Sequence, residues 1–414
     1  MDYKSALSYL KGLEKLGIRF RVDNTRELLE SLGFSFSGDV VHVAGTNGKG
    51  SCASVLARIL QEDGRKVGLY TSPELVDFTE RIRVGGRQIP RRKFAGLAFK
   101  LKPLIDSMPD KPTFFEVTTA LTLKYFADSK VDAMVLEVGM GGRLDSTNAV
   151  ESKLALVTNV DLDHMQYLGS SIEEIAREKA GIVRGGGTLV TAAKGAALKV
   201  LEGECRRKNA RIIRVGREAK LSHVTASLEN TSFTVETPQR KYTLKSGLLG
   251  IHQPENIACA VLAAEELGAS KKAIEKGVEK AVWPGRLQIV QKRPRVILDC
   301  GHNPAGVKTA VDFIRGVDYE RLIVVAGFSK DKDYKKMISL LSSADLFIGT
   351  EYKSERSLKT KWILEHVGGI AEPDVKTAVR LALKNAGQRD LILVTGSIYV
   401  VGEAFGLWEK KVNI

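Results

Sequence analysis

VVHVAGTNGKGSCASVLARILQEDG, residues 40–64, decides how this chain folds. The run VVHVA (40–44) is β-branched and nearly all apolar, which suits a strand buried on both faces. It passes through GTNGKGS (45–51) into CASVLARILQEDG, whose Ala53, Leu56, Ile59 and Leu60 fall on one helical stripe and whose Gly64 is a stop signal. Strand, glycine loop and helix in that order form a phosphate cradle. Glycines allow a tight turn that points backbone N–H groups at an anion, and the helix N-terminus adds partial positive charge. Thr46, Asn47, Gly48, Lys49, Gly50 and Ser51 are therefore candidate nucleotide contacts, with Lys49 neutralising the terminal phosphates. The spelling departs from the usual phosphate-loop pattern: Val43 stands where its first glycine would be, and Gly50 separates lysine from serine. A plain glycine turn is the rival reading.

Working outward, VGLY (67–70), AMVLEV (133–138), LALVTNV (154–160) and GTLVTA (187–192) repeat the buried-strand pattern between amphipathic stretches. That alternation specifies a doubly wound, mostly parallel α/β domain. From about 211 to 246 the periodicity changes to two, which predicts a small antiparallel appendage. After Trp283-Pro284-Gly285-Arg286 a fresh series, RVILDC (295–300), RLIVVAG (321–327), DLFIG (345–349) and DLILVTG (390–396), predicts a smaller Rossmann-like α/β domain. The expected division is 1–286 and 287–414.

A chain of 414 residues exceeds one hydrophobic core. No run of 18 apolar residues and no secretory start is present, so no membrane span is expected and a cytoplasmic location is. Cys52, Cys205, Cys259 and Cys300 show no metal or disulfide spacing, which fits a reducing compartment. The net charge of +14 is dispersed, without an aromatic-interleaved basic block. Small polyanions or a solvated surface explain it better than nucleic acid.

Further segments carry a resemblance: TSPELVDFTERIRVGG (71–86), TFFEVTTALTL (113–123), LEVGMGGRLDSTNAV (136–150), NVDLDHMQYLG (159–169), EKAGIV (178–183), HQPEN (252–256), PGRLQ (284–288) and DCGHNPAG (299–306). With GTNGKGS, and in this order, the chain resembles the folylpolyglutamate synthase/dihydrofolate synthase family of the Mur ligase superfamily. The resemblance implies ATP-dependent activation of a pterin or folate carboxylate to an acyl phosphate, then attack by the amine of L-glutamate. It implies a monomer, two Mg²⁺ ions and, in some members, a monovalent cation.

By the same resemblance Ser72, Glu137 and His164 are the Mg²⁺ ligands. Glu137 ends a strand and Ser72 and His164 follow strands, at the edge where ligand groups gather in open α/β sheets. Ser72 before Pro73 also suits a turn, Glu137 an arginine pair, and His164 a buried hydrogen bond. Lys179 in EKAGIV is the lysine that relatives often carbamylate; a surface helix position is its alternative. Lys49, Lys179 and His164 make the expected catalytic set. Asn256, Arg286, Asp299 and His302 are implied nucleotide contacts, with cap and turn duty the alternative for Asn256 and His302; Arg286 offers planar multidentate hydrogen bonding at the expected hinge. Thr113, Phe114, Phe115, Glu116, Leu144, Asp145 and Ser146 are implied pterin contacts, Asp145 by accepting from an aminopyrimidine edge and one of the phenylalanines by stacking. The segment IRFRVDNTREL (18–28) departs from the spelling of dihydropteroate-using members, with Arg21, Asp23 and Asn24 there. That leaves open which pterin acid is the acceptor. Other Mur-type acids, a nucleic-acid-binding ATPase and a degenerate nucleotide-binding module are the competing functions.

Overall fold

The computed structural model describes residues 2–408. Its described residues divide into two compact units, one of residues 2–223, 233–245 and 254–281, the other of 224–232, 246–253 and 282–408.

The first unit is built on strands β1 (Asp39–Ala44), β2 (Val67–Tyr70), β3 (Ile82–Val84), β4 (Arg87–Gln88), β5 (Ala133–Glu137), β6 (Leu154–Val157), β7 (Thr188–Thr191) and β8 (Arg211–Arg214). They form an eight-stranded sheet in the order β4-β3-β2-β5-β1-β6-β7-β8. The run from β2 to β8 is parallel, and β3 and β4 add an antiparallel edge. Strands β2, β5 and β6 are buried at every position, as apolar runs covered on both faces must be.

Helix Lys49–Glu62 buries more than the expected stripe: Cys52, Val55 and Ala57 are inside along with Ala53, Leu56, Ile59 and Leu60. The reason is a second helix, Lys271–Lys280, packed so closely that a Cβ on Gly277 would stand 2.5 Å from the Ile59 Cα. Fully burying each Leu or Ile here contributes roughly 1.5–3 kcal/mol.

The appendage is β9 (Lys220–Ala226), β10 (Thr231–Glu236) and β11 (Lys241–Ser246), a three-stranded sheet in the order β11-β10-β9. Tight turns join its strands, with Ser227 N–H donating to Asn230 O and Thr237 N–H to Arg240 O. The expected range is too long by one strand. Residues 211–214 pair with β7 in the large sheet instead; RIIR carries its charges at the ends, and an edge strand tolerates that. Within the first unit, Tyr242 OH and Thr237 Oγ1 both donate to buried Glu265 Oε1, at 2.6 and 2.9 Å.

In the second unit β12 (Gln288–Lys292), β13 (Arg295–Leu298), β14 (Leu322–Ala326), β15 (Leu346–Glu351), β16 (Ile370–Asp374) and β17 (Leu391–Thr395) form a sheet in the order β12-β13-β17-β14-β15-β16. Only β12 runs antiparallel to its neighbour. Among the described residues no helix is long and apolar enough to cross a membrane. All four cysteines are free and buried.

Candidate active site

The loop 45–51 leaves β1 and is stitched to the chain that follows β6. Thr46 N–H donates to Asn159 O (3.0 Å), Asn47 N–H to Asn159 Oδ1 (2.8 Å), and Thr158 Oγ1 to Asn47 O (2.7 Å). Thr46 Oγ1 and the backbone of Asp161 complete the lacing. Gly48 caps helix Lys49–Glu62 at φ 81°, left-handed backbone that glycine adopts without strain. A Cβ there would also fall 2.2 Å from Asn256 Oδ1. Asn256, expected at the nucleotide, is thus packed directly on the loop. Alanine at Gly48 is expected to weaken nucleotide binding roughly tenfold, since left-handed alanine alone costs about 1–2 kcal/mol. Calorimetric titration with a nonhydrolysable ATP analogue checks this, and unchanged affinity would refute it.

Two lysines converge on this loop. Lys49 Nζ donates to Gly45 O (3.1 Å) and Thr46 O (3.2 Å), and Lys179 Nζ donates to the same Gly45 O at 3.0 Å. Lys179 is not a surface residue; only 3% of it is exposed. Burial chiefly, and the Lys49 charge next, lower its ammonium pKa to about 7, against the pull of Asp163 and Asp145. At neutral pH a large share of this side chain is therefore a free amine.

Glu137 ends β5, beside Val43 of β1 in register, and is 4% exposed. Its Oε2 accepts the Ser72 N–H at 3.0 Å, so the structure brings these two expected ligands together. His164 follows the laced segment 158–161 and turns the chain in left-handed geometry (φ 52°) into the short helix Met165–Leu168. Its Nε2 lies 3.9 Å from Asp163 Oδ1. Among the described residues no three His, Cys, Asp or Glu side chains gather as a self-sufficient metal cage. That fits Mg²⁺, which at nucleotide sites takes one or two carboxylates, waters and substrate phosphate rather than a protein cage. A buried carboxylate, a hydroxyl and an imidazole suit that demand.

A cavity of about 230 Å³ lies in the same unit. Thr113, Phe115, Leu144, Asp145 and Ser146 line it, as do Ser72, Arg81 and the stretch Gly17–Phe20. Of the expected pterin contacts, Phe114 and Glu116 do not. Phe114 packs edge-on to Phe78 (5.8 Å between centroids) with the Arg81 guanidinium 5.4 Å above its ring. Glu116 closes a capping box, its Oε2 accepting the Thr113 N–H at 2.6 Å. The T-x-x-E spelling ahead of an apolar run was the signal for that role. Phe115 stacks on Tyr70 at 6.0 Å. Asp145 is buried, which raises its pKa; it caps the turn Ser146–Ala149, accepting from Thr147 N–H (3.0 Å) and Oγ1 (2.7 Å) and, through Oδ2, from Met140 N–H (2.9 Å). Arg81 and Ile18–Phe20 lie within the quoted segments 71–86 and 18–28, but nothing in their spelling marks them as cavity lining.

In the second unit Asp299 is buried just beyond β13 and accepts from Leu287 N–H (3.0 Å) and Gly301 N–H (2.9 Å). Burial raises its pKa, and the neighbouring Arg286 charge lowers it. His302 Nδ1 is 3.1 Å from Cys300 O.

Comparison with known proteins places this geometry. Residues 43–264 match the Mur ligase middle domain and 285–398 the Mur ligase glutamate ligase domain. The dihydrofolate synthase/folylpolyglutamate synthase of Bacillus subtilis is 34% identical over 420 residues, covering 97% of this chain and 98% of that protein. The chain belongs to the folylpolyglutamate synthase/dihydrofolate synthase family. Family members are ATP-dependent, ADP-forming ligases. A probable bifunctional folylpolyglutamate synthase/dihydropteroate synthase of Haloferax volcanii is 36% identical over 433 residues; this chain is covered in full but spans about half of that protein, 51%. Escherichia coli FolC in complex with DHPP and ADP superposes with a TM-score of 0.90 at 31% identity, covering 98% of each chain. A bifunctional folylpolyglutamate synthase/dihydrofolate synthase with Mn, AMPPNP and L-glutamate bound gives a TM-score of 0.88 at 30% identity, over 98% and 99% of the two chains.

Proposed function

We propose that this family member joins L-glutamate to the carboxylate of a pterin or folate acid, with loop 45–51 holding ATP and the 230 Å³ cavity holding the acceptor ring. The observation that supports this reading is a shared wall: Ser72 lines the cavity and its N–H is bonded to Glu137, so two of the proposed metal ligands border the cavity at the ends of neighbouring strands. The acceptor carboxylate attacks the γ-phosphorus, ADP leaves, and an acyl phosphate forms. The glutamate amine then attacks the acyl carbon and releases phosphate. Lys49 and the N–H groups at the start of helix Lys49–Glu62 hold the phosphate oxygens where negative charge develops. Asn256 packs on the loop at Gly48, and Arg286, Asp299 and His302 of the second unit are proposed nucleotide contacts.

Ser72, Glu137 and His164 are the proposed divalent ligands. Bound Mg²⁺ supplies Lewis-acid polarisation of the transferred phosphoryl group. Lys179 is the proposed carbamate: its free amine adds CO₂ and loses a proton, replacing a cation by an anion beside Lys49. Residues 1–286 then form the ATP-binding part and 287–414 the glutamate-ligase part. The test is ADP release that requires both glutamate and a pterin acid, compared among dihydropteroate, tetrahydrofolate and its monoglutamate. Release with dihydropteroate alone marks a dihydrofolate synthase, and release with the folates a polyglutamate synthase. Glutamate-independent ATP hydrolysis with all three would refute the reading.

A further inference from the structure

We propose that Arg21 is a positioning residue that sets the width of the acceptor cavity and hence its preference for flat ring systems, an inference resting on the pterin reading above. The cavity has two walls of different construction. One, Gly17–Phe20, is irregular chain that follows the turn Leu13–Leu16 and belongs to no sheet. The other is the start of helix Phe114–Asp128, whose cap Thr113 and first-turn Phe115 face the cavity.

Arg21 comes directly after the first wall and touches the residue that holds the second. Its Nε is 3.5 Å from Glu116 Oε1, and Glu116 Oε2 holds the Thr113 N–H. Its Nη1 pairs with Asp110, and Arg19 from the first wall pairs with the same carboxylate at 2.6 Å. A single guanidinium therefore ties both walls together.

Burial makes the tie consequential. The Glu116 side chain is 1% exposed, and its Oε1 has no hydrogen-bond partner, nor do Arg21 Nε and Nη2. A buried carboxylate oxygen facing only a guanidinium is held by charge, and losing the cation leaves it uncompensated. The helix start that carries Thr113 and Phe115 must then shift to rehydrate Glu116. Asp110 is half exposed, so its pairs with Arg19 and Arg21 contribute little on their own and serve to orient.

The experiment uses Arg21→Met, Arg21→Lys and Asp110→Asn in the full chain, with KM measured separately for a pterin acid and for ATP. Arg21→Met is expected to raise acceptor KM about tenfold while ATP KM stays within about twofold. It should also narrow the preference for an unsubstituted pterin acid over one with a bulky ring substituent. Arg21→Lys, which keeps the charge, should fall between, and Asp110→Asn should move acceptor KM the same way by less. Should Arg21→Met fail to fold, the other two variants carry the test. Equal shifts in both KM values, or an unchanged acceptor KM, overturns the proposal. A wild-type enzyme that turns over no pterin acid overturns the functional reading itself, a different result.

Discussion

Lys179→Ala is expected to lower kcat by about a hundredfold or more, the scale on which a preorganised charge at a reacting phosphoryl group acts. The side chain is buried beside Lys49 on the Gly45 carbonyl, where a second cation is costly and an anion is welcome. The proposed carbamate would supply that anion. Acetate added to the alanine variant should restore part of the lost rate, because a small carboxylate fits the space the side chain vacates. The pH dependence has a fixed sign. The lysine is protonated in the folded chain only below about 7, whereas an ordinary unfolded lysine holds its proton to about 10.4. Carbamylation needs the free amine, so wild-type activity at fixed CO₂ should fall as pH drops through 7. Between those two values the unfolded chain binds the extra proton, so stability contributed here rises with pH. Lys179→Met should therefore melt no lower than wild type at neutral pH. Full activity in Lys179→Ala under CO₂-free buffer would end the carbamate idea.

The second large effect belongs to Glu137. Glutamine there keeps the shape and can still accept the Ser72 N–H, but removes the one buried carboxylate at the end of β5. Loss of a charged ligand at a reacting phosphoryl site predicts a fall in kcat/KM of about 10²–10³, partly recovered by raising Mg²⁺. Apparent Mg²⁺ affinity, read from the rate at limiting ATP, should weaken by at least tenfold, about the loss that even an outer-sphere change causes. A variant with an unaltered Mg²⁺ profile would remove Glu137 from the metal site.

What was legible in the sequence and what was not divides along physical lines. Strand β1, loop 45–51 and its helix were readable because glycines, one lysine and an apolar stripe act locally. The buried strands announced themselves for the same reason. Glu116, an implied pterin contact, closes the capping box that Thr113 and Glu116 spell, a local signal that lies inside the family motif. Phe114 and Phe115 are adjacent yet face different partners, and no sequence rule tells which one meets the cavity. Strand β8 was read into the appendage because an edge strand with charged ends looks like surface β-structure. Segment 18–28 bears on the acceptor in sequence, but its role as a cavity wall is not legible there, because Arg19 is held by Asp110, 91 residues away in the chain.

Gly277 has a reach beyond its own contact. It sits against Ile59, ten residues along the helix that begins at Lys49, a span of about 15 Å at the usual rise. A rigid helix is a lever. Pushing one end outward by a methyl group tilts the other, and the end that tilts carries the ammonium and N–H groups aimed at phosphate. On the proposed reading of loop 45–51, a side chain added at Gly277 would change nucleotide affinity from a contact that no nucleotide touches, and a small substitution on the far helix would masquerade as damage to the binding loop.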